Sequence, residues 1–461
     1  MIPSHRAPWH TRESLKLLGR TASRLALLST VALGTLTAQQ SAFYVRAGAT
    51  GAANGIDWNN AYPTLPSTLA RGATYYIADG NYNGYVFDDA VSGTQLITIK
   101  KATVADHGTA TGWNDTFGDG QATWTGSWRF LTNYWLVDGQ VGGGPSDWEG
   151  ITNPLGFRLL GTCVNIDHDN KVDSGDFVTI RHLEIDGQQT QVGSLCRAVN
   201  LRRNHNFTMQ HSYIHNIGED VFSIADGGDN FLLEYSKTKL APIDQSAASH
   251  GDLFEVQYGT MNNWTIRYNF FEDPVGSYLF GAHDTATING YNIYGNIIYF
   301  RTRDQNTGNC QFGHLSAGGT VNNLKVYNNT ITGIFGASCF AFYSPWLGTS
   351  PEARNNIWHE TVDSGYNFSF SSVSHSNNNL YNMVTQAGET NLTGDPFVSE
   401  ISRDFRLTAR TAAGISLPAP YNVDMFGNTR GADGTWDRGA IEYSGVALVP
   451  PAQPTNLRLL P

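Results

Sequence analysis

A short motif that recurs along the chain constrains the possible folds more than any other feature of the sequence. An apolar anchor residue is followed three positions later by Asn, as in Ile266-Arg267-Tyr268-Asn269. The same register is found at eight anchors, Ile180, Met209, Leu233, Ile266, Ile293, Val326, Ala353 and Ser376. A repeat of roughly 20–50 residues indicates a solenoid. Because these repeats hold short β-type runs and turn residues without a helical period, each is predicted to be one coil of a parallel β-helix.

The residues three positions after the anchors form a second recurrent column. They are Leu183, Ser212, Ser236, Asn269, Asn296, Asn329, Asn356 and Asn379. Coils of a parallel β-helix stack at the spacing of paired strands, about 4.7–4.9 Å, so a recurrent position becomes a row of side chains. Asn accepts the left-handed conformation of a turn, and its amide both donates and accepts hydrogen bonds. The column therefore predicts a hydrogen-bonded row of Asn inside the turn that follows the anchor strand.

The composition suits a turn-rich, sheet-rich extracellular protein, with 49 Gly in 461 residues and only 15% charged residues. The first 38 residues place five basic residues ahead of the apolar stretch Leu25–Leu36 and end in Thr37-Ala38. This order is typical of a secretion signal cleaved near Ala38. The apolar stretch is shorter than the about 20 residues that a membrane-spanning helix needs. We therefore expect a secreted protein, extracellular or periplasmic, from which residues 1–38 are removed.

The net charge argues against two general classes of partner. Loss of the signal removes five basic residues and one acidic residue, so the net charge changes from −11 to −15. Such a charge repels nucleic acids and anionic membranes. A polyanionic substrate would then need a local basic patch or a bound cation. A monomer is expected.

Four cysteines fit an oxidising compartment. Cys163 and Cys196 are 33 residues apart and Cys310 and Cys339 are 29 apart, each close to one coil length. Stacked neighbours fall within the Cα separation that a disulfide needs, so the pairs 163–196 and 310–339 are favoured over the other connectivities. Buried free thiols are the alternative.

Three N-terminal segments, Phe43–Val45, Thr64–Ala70 and Ala73–Tyr82, indicate a first strand, a short helix and a strand that closes on a Gly-x-Tyr turn. Their order resembles the opening of secreted right-handed parallel β-helix proteins of the pectin lyase-like type. The resemblance implies an all-β fold, a single-stranded right-handed parallel β-helix with a short N-terminal helical cap.

The C-terminal part carries a second resemblance. Asp395-Pro396-Phe397-Val398, Asp404-Phe405-Arg406-Leu407 and Trp436-Asp437-Arg438-Gly439 are similar to the closing segment of the choice-of-anchor Q type of secreted β-helix proteins. We therefore expect a β-helix over residues 39–445, with regular coils at about 177–382 and a C-terminal cap segment at about 383–445. Residues 446–461 are expected to form a linker or tail.

Ionisable residues are concentrated between His215 and Asp304, where two neighbouring coils align. The segments 219–224 and 251–256 match residue by residue, so Asp220 and Asp252 are expected to stack one strand spacing apart, with His250 just before the second. Two carboxylates about 5 Å apart share a proton, bind a cation, or act as an acid and a nucleophile. The alternative is structural, with both side chains capping their turns through backbone N–H groups.

A third resemblance begins at Glu255. Glu255-Val256-Gln257-Tyr258-Gly259 and the following segments 263–271 and 276–283 resemble the core of the alginate lyase and chondroitinase B family. In that family a Glu-rich strand leads to a catalytic Lys-Ser, and an Arg-His-Gly strand follows one coil later. This chain has Gln257 or Tyr258 where the Lys is expected, and Gly281-Ala282-His283-Asp284 where Arg-His-Gly is expected. The resemblance implies a calcium-ligand role for Glu255 and retains His283.

β-Elimination on a uronate chain needs a base, a positive group at the carboxyl, and an acid for the leaving oxygen. We expect His250 or His283 as the base, Tyr258 or Tyr278 as the acid, and Ca²⁺ on the hard oxygens of the acidic cluster. The predicted metal ligands are Asp220, Asp252 and Glu255, and the predicted substrate-binding residues are Arg301, Arg303, Gln257 and Asp284. The two arginines could hold a carboxylate in bidentate fashion, or could form a solvated turn paired with Asp304.

The leading prediction is a secreted enzyme that cleaves a uronic-acid-containing polysaccharide by β-elimination. The first alternative is a glycoside hydrolase that uses Asp220 and Asp252. The second is a non-catalytic surface protein whose β-helix binds glycans.

Overall fold

The computed structural model describes residues 40–161, 164–168, 175–189, 197–240, 252–273, 279–282, 284–300, 319–333, 347–360, 370, 372–383 and 385–445. Over these ranges the chain is built from short β-strands, with one short 3₁₀ helix at Asp115–Phe117 and no α-helix. The cysteines Cys163, Cys196, Cys310 and Cys339 lie outside the described residues, so the disulfide pairs stay a prediction.

The strands follow one another along the whole described chain. The first eleven are β1 (Ala42–Val45), β2 (Thr74–Ile77), β3 (Gly80–Phe87), β4 (Ile97–Lys101), β5 (Ala122–Phe130), β6 (Trp135–Asp138), β7 (Phe157–Leu160), β8 (Val164–His168), β9 (Val178–Arg181), β10 (Leu183–Asp186) and β11 (Arg197–Arg202). The next eleven are β12 (Phe207–Gln210), β13 (Tyr213–Ile217), β14 (Phe222–Ala225), β15 (Gly228–Asp229), β16 (Leu232–Glu234), β17 (Lys237–Leu240), β18 (Phe254–Gln257), β19 (Thr260–Arg267), β20 (Phe270–Glu272), β21 (Thr287–Tyr294) and β22 (Ile297–Tyr299). The last ten are β23 (Thr320–Asn322), β24 (Lys325–Tyr327), β25 (Thr330–Thr332), β26 (Glu352–Arg354), β27 (Ile357–His359), β28 (Ser374–Ser376), β29 (Asn379–Tyr381), β30 (Thr390–Leu392), β31 (Phe397–Ser399) and β32 (Asp404–Leu407).

These strands form a right-handed parallel β-helix with three faces. Face A runs β1-β2-β4-β6-β9-β12-β16-β19-β21-β24-β26-β28, with β15 and β23 extending it at its edge. Face B runs from the first halves of β3 and β5 through β7-β10-β13-β17-β20-β22-β25-β27-β29-β30. Face C takes the second halves of β3 and β5 and continues through β8-β11-β14-β18. From β6 to β18, where all three faces are described, each coil passes from face A to face B to face C, and the predicted parallel β-helix is confirmed.

The bend between faces B and C falls inside two long strands near the N-terminus. In β3 and β5 the register shifts between Asn83 and Tyr85. A Cβ added to Gly84 at this bend would lie 2.5 Å from the carbonyl oxygen of Ser127. Only a residue without a side chain allows the two coils to approach this closely while the chain turns.

The anchor residues stack in register, as the repeat predicts. Ile180 pairs with Met209, Met209 with Leu233, and the series continues to Ala353. The last step is wrong by one residue, because Ala353 pairs with His375 and not with Ser376. The row ends correspondingly on Asn378, whose Oδ1 accepts the N–H of Asn356 at 3.0 Å.

The predicted row of amides is present and is buried. Asn269, Asn296, Asn329 and Asn356 are each fully buried. The Oδ1 of Asn296 accepts both the backbone N–H and the Nδ2 of Asn269, each at 3.0 Å. The Nδ2 of Asn296 donates to Asn329 Oδ1 at 3.0 Å and to the carbonyl of Ile266 at 2.9 Å. Each amide therefore satisfies backbone groups of its own corner and of the neighbouring coil.

The core is a continuous apolar column that fills the interior of the three faces. Strands alternate inward and outward residues, as in β9, where Val178 and Ile180 are buried and Thr179 and Arg181 are half-exposed. At the N-terminal end, Leu65 and Leu69 pack into this core. The segment 64–70 that contains them is irregular, so the helix that the resemblance implied for Thr64–Ala70 is not found there.

The segment after β32 is bound to the last coils by buried polar contacts. Arg438 donates to the carbonyl of Asn378 at 3.1 Å and to Asn379 Oδ1 at 2.8 Å. The backbone N–H of Gly439 donates to the carbonyl of Asn355 at 2.8 Å. Asn355 in turn exchanges two hydrogen bonds of 2.9 Å with the backbone of Ile415. These contacts place residues 411–443 over the corner that contains the amide row.

We predict that Asn296→Ala lowers the free energy of unfolding by at least about 2 kcal/mol, because it leaves the buried N–H of Asn269 without its acceptor and removes a hydrogen bond to the Ile266 carbonyl. The matched change Asn289→Ala removes an amide from a half-exposed outer row, where water replaces it, and should cost less than about 0.5 kcal/mol. Urea unfolding of both variants provides the test. Equal losses would contradict a special role for the buried row.

Candidate functional site

The predicted acidic pair stacks on face C as the sequence indicates. Ser223 pairs with Glu255 in the β14–β18 register, and the N–H of Val221 donates to the carbonyl of Asp252 at 2.9 Å. Asp220 and Asp252 therefore occupy equivalent positions on neighbouring coils. Both side chains are buried, with exposed fractions of 1% and 0%. The alignment of the two coils is confirmed.

An arginine from the preceding coil joins the pair to Glu255. The Nε of Arg197 donates to Asp220 Oδ2 at 3.0 Å, and its Nη2 donates to Glu255 Oε2 at 3.0 Å. Glu219 lies 3.6 Å from the same Nε. Among the described residues the cluster thus holds one guanidinium and four carboxylates, those of Glu219, Asp220, Asp252 and Glu255. We call these five residues the face C cluster.

Two further side chains fix the carboxylate of Glu255. The hydroxyl of Ser223 donates to Oε2 at 3.1 Å, and the Nε2 of Gln257 donates to Oε1 at 3.0 Å. Ser223, Glu255 and Gln257 are outward-facing residues of β14 and β18, because Phe222, Ile224 and Val256 between them belong to the core. Strand alternation thus aims this network at the outer side of face C.

Burial raises the pKa of Asp220 well above its ordinary value. The negative charge of Glu255, a hydrogen bond to the Glu255 carboxyl and the charge of Asp252 act in the same direction, while Arg197 opposes them. The pair Asp220–Glu255 can therefore retain one proton at a pH where an exposed aspartate would be ionised. The N–H of Asp252 also donates to Asp220 Oδ1 at 3.2 Å, so Asp220 fulfils part of the turn-capping role as well.

Tyr258 and Asp284 lie at the other end of face C. They are hydrogen-bonded to each other, and this bond to the Asp284 carboxylate is the main cause that raises the pKa of Tyr258. Arg202 and Asp226, which lie 3.3 Å apart, interact electrostatically with Tyr258. Three residues of extended strand, about 10 Å, separate Tyr258 from Glu255. Tyr258 thus follows the end of β18, whereas Glu255 lies near the start of that strand.

The remaining predicted residues cannot be placed. His250, His283, Arg301 and Arg303 lie outside the described residues, so their roles stay predictions. Residues 241–251, which connect β17 to Asp252, also lie outside the described residues.

The sequence reasoning missed Arg197. Extending the alignment back by one coil would have found it, because Arg197-Ala198-Val199-Asn200-Leu201 has the same pattern as residues 220–224. Its contact with Glu255 spans two coils, however, and a comparison of adjacent coils does not predict a contact of that range.

A calcium ion on Asp220, Asp252 and Glu255 fits this arrangement poorly. The guanidinium of Arg197 binds Asp220 Oδ2 and Glu255 Oε2, two of the oxygens that would coordinate the ion. A cation there would compete with a fixed positive charge. We therefore derive no step through calcium, and its presence stays a prediction.

Two other groups of acidic and histidine residues have side-chain ligand atoms within 4.8 Å of one another in the described part of the chain. They are Glu184, Asp186 and His215, and His359, Asp395 and Glu400. In the first group Arg158 lies 3.3 Å from Glu184 and 2.6 Å from Asp186. In the second group Thr332 donates to Glu400 at 2.5 Å. In both groups, which lie on the outer side of face B, protein side chains thus already contact carboxylate oxygens that a metal ion would need.

The chain matches no protein-family model and no curated protein. Among solved structures it is similar to the pectate lyase Pel9A, with 14% identity, a TM-score of 0.42, and coverage of 87% of this chain and 96% of that one. It is also similar to a PL6 family polysaccharide lyase from Pseudopedobacter saltans, with 14% identity, a TM-score of 0.31, and coverage of 82% and 98%. Within the described residues, no helix has the length and apolarity needed to cross a membrane.

The raised pKa of Asp220 predicts a pH-dependent stability of defined sign. Below about pH 3.9 both folded and unfolded chains carry the proton. Above it the unfolded chain releases the proton while the folded chain retains it, so this residue lowers stability as pH rises toward its folded pKa. We expect the melting temperature of Asp220→Asn, relative to wild type, to rise between pH 4 and neutrality.

The matched control is Asp88→Asn, at an exposed aspartate far along the sequence. As a change at a solvated surface residue, it should shift the melting temperature only slightly. Thermal melts of the three proteins across this range check the expectation, and a pH-independent difference for Asp220→Asn would refute it.

Proposed function

We propose that this protein is a polysaccharide-degrading enzyme that cleaves uronic-acid-containing chains by β-elimination on face C. The observation that carries the proposal is the buried Asp220 held between Glu255, Asp252 and Arg197, whose pKa burial raises. Buried carboxyl groups with a raised pKa are typical of acid–base catalysis. Outer surfaces of solenoids also provide the extended binding surfaces that polymers need.

In this proposal the proton on the Asp220–Glu255 pair serves the leaving glycosidic oxygen. A carboxyl group whose pKa is raised above its ordinary value is suited to that role. The sequence analysis assigned this role to Tyr258 or Tyr278, and that assignment stays a prediction beside this one. His250, two residues before Asp252 in the sequence, stays the predicted base that removes the proton beside the uronate carboxyl.

Arg197 supplies positive charge in the cluster. Its guanidinium is already paired with Asp220 and Glu255, so its described contacts position those carboxyl groups. Gln257, two residues further along the same strand, donates to Glu255 and positions the same network. We therefore assign Arg197 and Gln257 as positioning residues.

A glycoside hydrolase is the second candidate, and the same pKa shift favours it. A protonated carboxyl beside an ionised one is the arrangement with which glycosidases protonate a leaving group and activate water or attack directly. In that reading Asp220 is the acid, and Asp252 or Glu255 is the base or nucleophile. The two reactions differ in product, because elimination leaves an unsaturated uronate end and hydrolysis does not.

The test incubates the full chain with alginate, glucuronan, pectate and chondroitin while ultraviolet absorbance and reducing ends are followed. Elimination predicts both signals, hydrolysis predicts reducing ends alone, and the absence of both leaves a glycan-binding protein. Glu255→Gln and Asp252→Asn should each lower kcat/KM by about 10²-fold or more.

The control variant is Glu352→Gln. Glu352 lies on face A and is bonded to Arg354 at 2.8 Å, so the change again removes a carboxylate that pairs with arginine. Its activity should equal that of wild type. A Glu255→Gln or Asp252→Asn protein that is fully folded by thermal melt and fully active would place the active site elsewhere.

A further inference from the structure

A groove of about 580 Å³ lies on the outer side of face A, away from the face C cluster. Its floor is a row of outward-facing residues on four consecutive coils, Thr208, Leu232, Thr265 and Asn292, which pair in register. All four side chains are half-exposed. Three strand spacings give the row a length of about 14–15 Å. The groove is therefore long enough for a few units of an extended polymer.

One rim of the groove is a second row of amides. Asn230 donates to Asn206 Oδ1 at 2.9 Å, and Asn263 donates to Asn230 Oδ1 at 3.4 Å. A primary amide has two N–H groups and two acceptor lone pairs, so the middle amide of the row retains one donor and one acceptor position toward solvent. This pattern repeats once per coil. Repeated donor and acceptor pairs suit ligands whose hydroxyl groups both donate and accept.

The floor adds hydroxyl and apolar groups to the amide rim. The hydroxyls of Thr208 and Thr265 make no hydrogen bond to other residues that the structure describes. Leu232 lies between them in register and offers a small apolar surface. A pyranose ring presents the same combination, hydroxyl groups at its edge and C–H groups on its face.

The groove contains fewer charged residues than the face C cluster. Of the residues that line it, Arg267 alone is charged at neutral pH among those described. Its Nε lies 2.5 Å from Glu234 Oε2 and its Nη1 donates to Tyr294 at 2.8 Å, so its charge is neutralised by protein. Electrostatic attraction would therefore contribute little to the binding of a polyanionic chain here. An uncharged chain does not depend on such attraction.

The C-terminal segment closes one end of the groove. Tyr421 packs edge-on against Tyr294 with ring centroids 4.8 Å apart, and its hydroxyl donates to Asn292 Oδ1 at 2.9 Å. These contacts fix the wall, so the groove exists before any ligand binds. A preformed site avoids the entropic cost of ordering on binding.

We propose that the face A groove is a binding site for a neutral, hydroxyl-rich polysaccharide, separate from the site proposed on face C. Such a site would hold the protein on uncharged glycans that accompany its substrate. Binding at this site requires no catalytic activity, so its test does not depend on whether the protein catalyses the proposed elimination.

Affinity electrophoresis of the full chain through gels that contain galactomannan, xyloglucan, mixed-linkage β-glucan or starch tests the proposal. Wild type should be retarded by at least one of these glycans, and Thr265→Arg, which fills the floor, should weaken that binding at least about tenfold. The matched control is Thr98→Arg, in the same outward row of face A but on β4, outside the groove. It adds the same charge and should bind as wild type does.

Asn230→Gly provides a second variant, because it removes a rim amide at an exposed residue with φ of 59° that glycine adopts without strain. It should also weaken retardation, and thermal melts should show all variants folded. Retardation by none of the four neutral glycans, or only by pectate or alginate gels, would overturn the proposal. Equal retardation of wild type and Thr265→Arg would overturn it as well.

Discussion

The buried amide row at the corner between faces A and B is the interaction on which the rest of the structure depends. Each coil turns there with little room, and its backbone groups are sealed from water by the C-terminal segment. The amides of Asn269, Asn296, Asn329 and Asn356 satisfy those groups in both directions. Since an unsatisfied buried backbone group costs about 1–3 kcal/mol, a slip of one residue in any coil would break bonds in two neighbours. The row therefore fixes register on both adjoining faces.

Because the register is fixed at the corner between faces A and B, variation in loop length is found at the connection between faces B and C. Faces A and B keep nearly constant positions, and their outward residues form straight rows. The connection from face B to face C is free to vary, with four residues between β13 and β14 and 13 between β17 and β18. Ionisable residues gather at the end of this connection, at Asp220 and Asp252, where a change of loop length does not disturb the amide row. Loops on a rigid scaffold are the usual place for function.

The sequence predicts the register well because a period repeated over many coils averages out local ambiguity. It fails at the last coil, where Asn377, Asn378 and Asn379 offer three candidates and only the backbone bond from Asn356 selects one. The site was predictable where it depends on adjacent coils, as in the stacking of Asp220 on Asp252. The bond from Arg197 to Glu255 was not, because it depends on side-chain reach across two coils. Tyr258 is only three residues from Glu255 in the sequence, yet it follows the end of β18 and is hydrogen-bonded to Asp284.

The contrast between the two outer surfaces follows from how each handles charge. On face C the carboxylates of Glu219, Asp220, Asp252 and Glu255 surround the Arg197 guanidinium, and burial together with the charges of Glu255 and Asp252 raises the pKa of Asp220. On face A the single guanidinium of the groove, Arg267, is matched by one carboxylate, Glu234. A buried carboxyl group with a raised pKa, as on face C, is typical of sites of acid–base chemistry. In the face A groove the charge of Arg267 is paired, so binding there would depend on amide and hydroxyl groups. Under the two proposals, face A binds an uncharged polysaccharide through neutral hydrogen bonds, whereas face C acts on an ionised one.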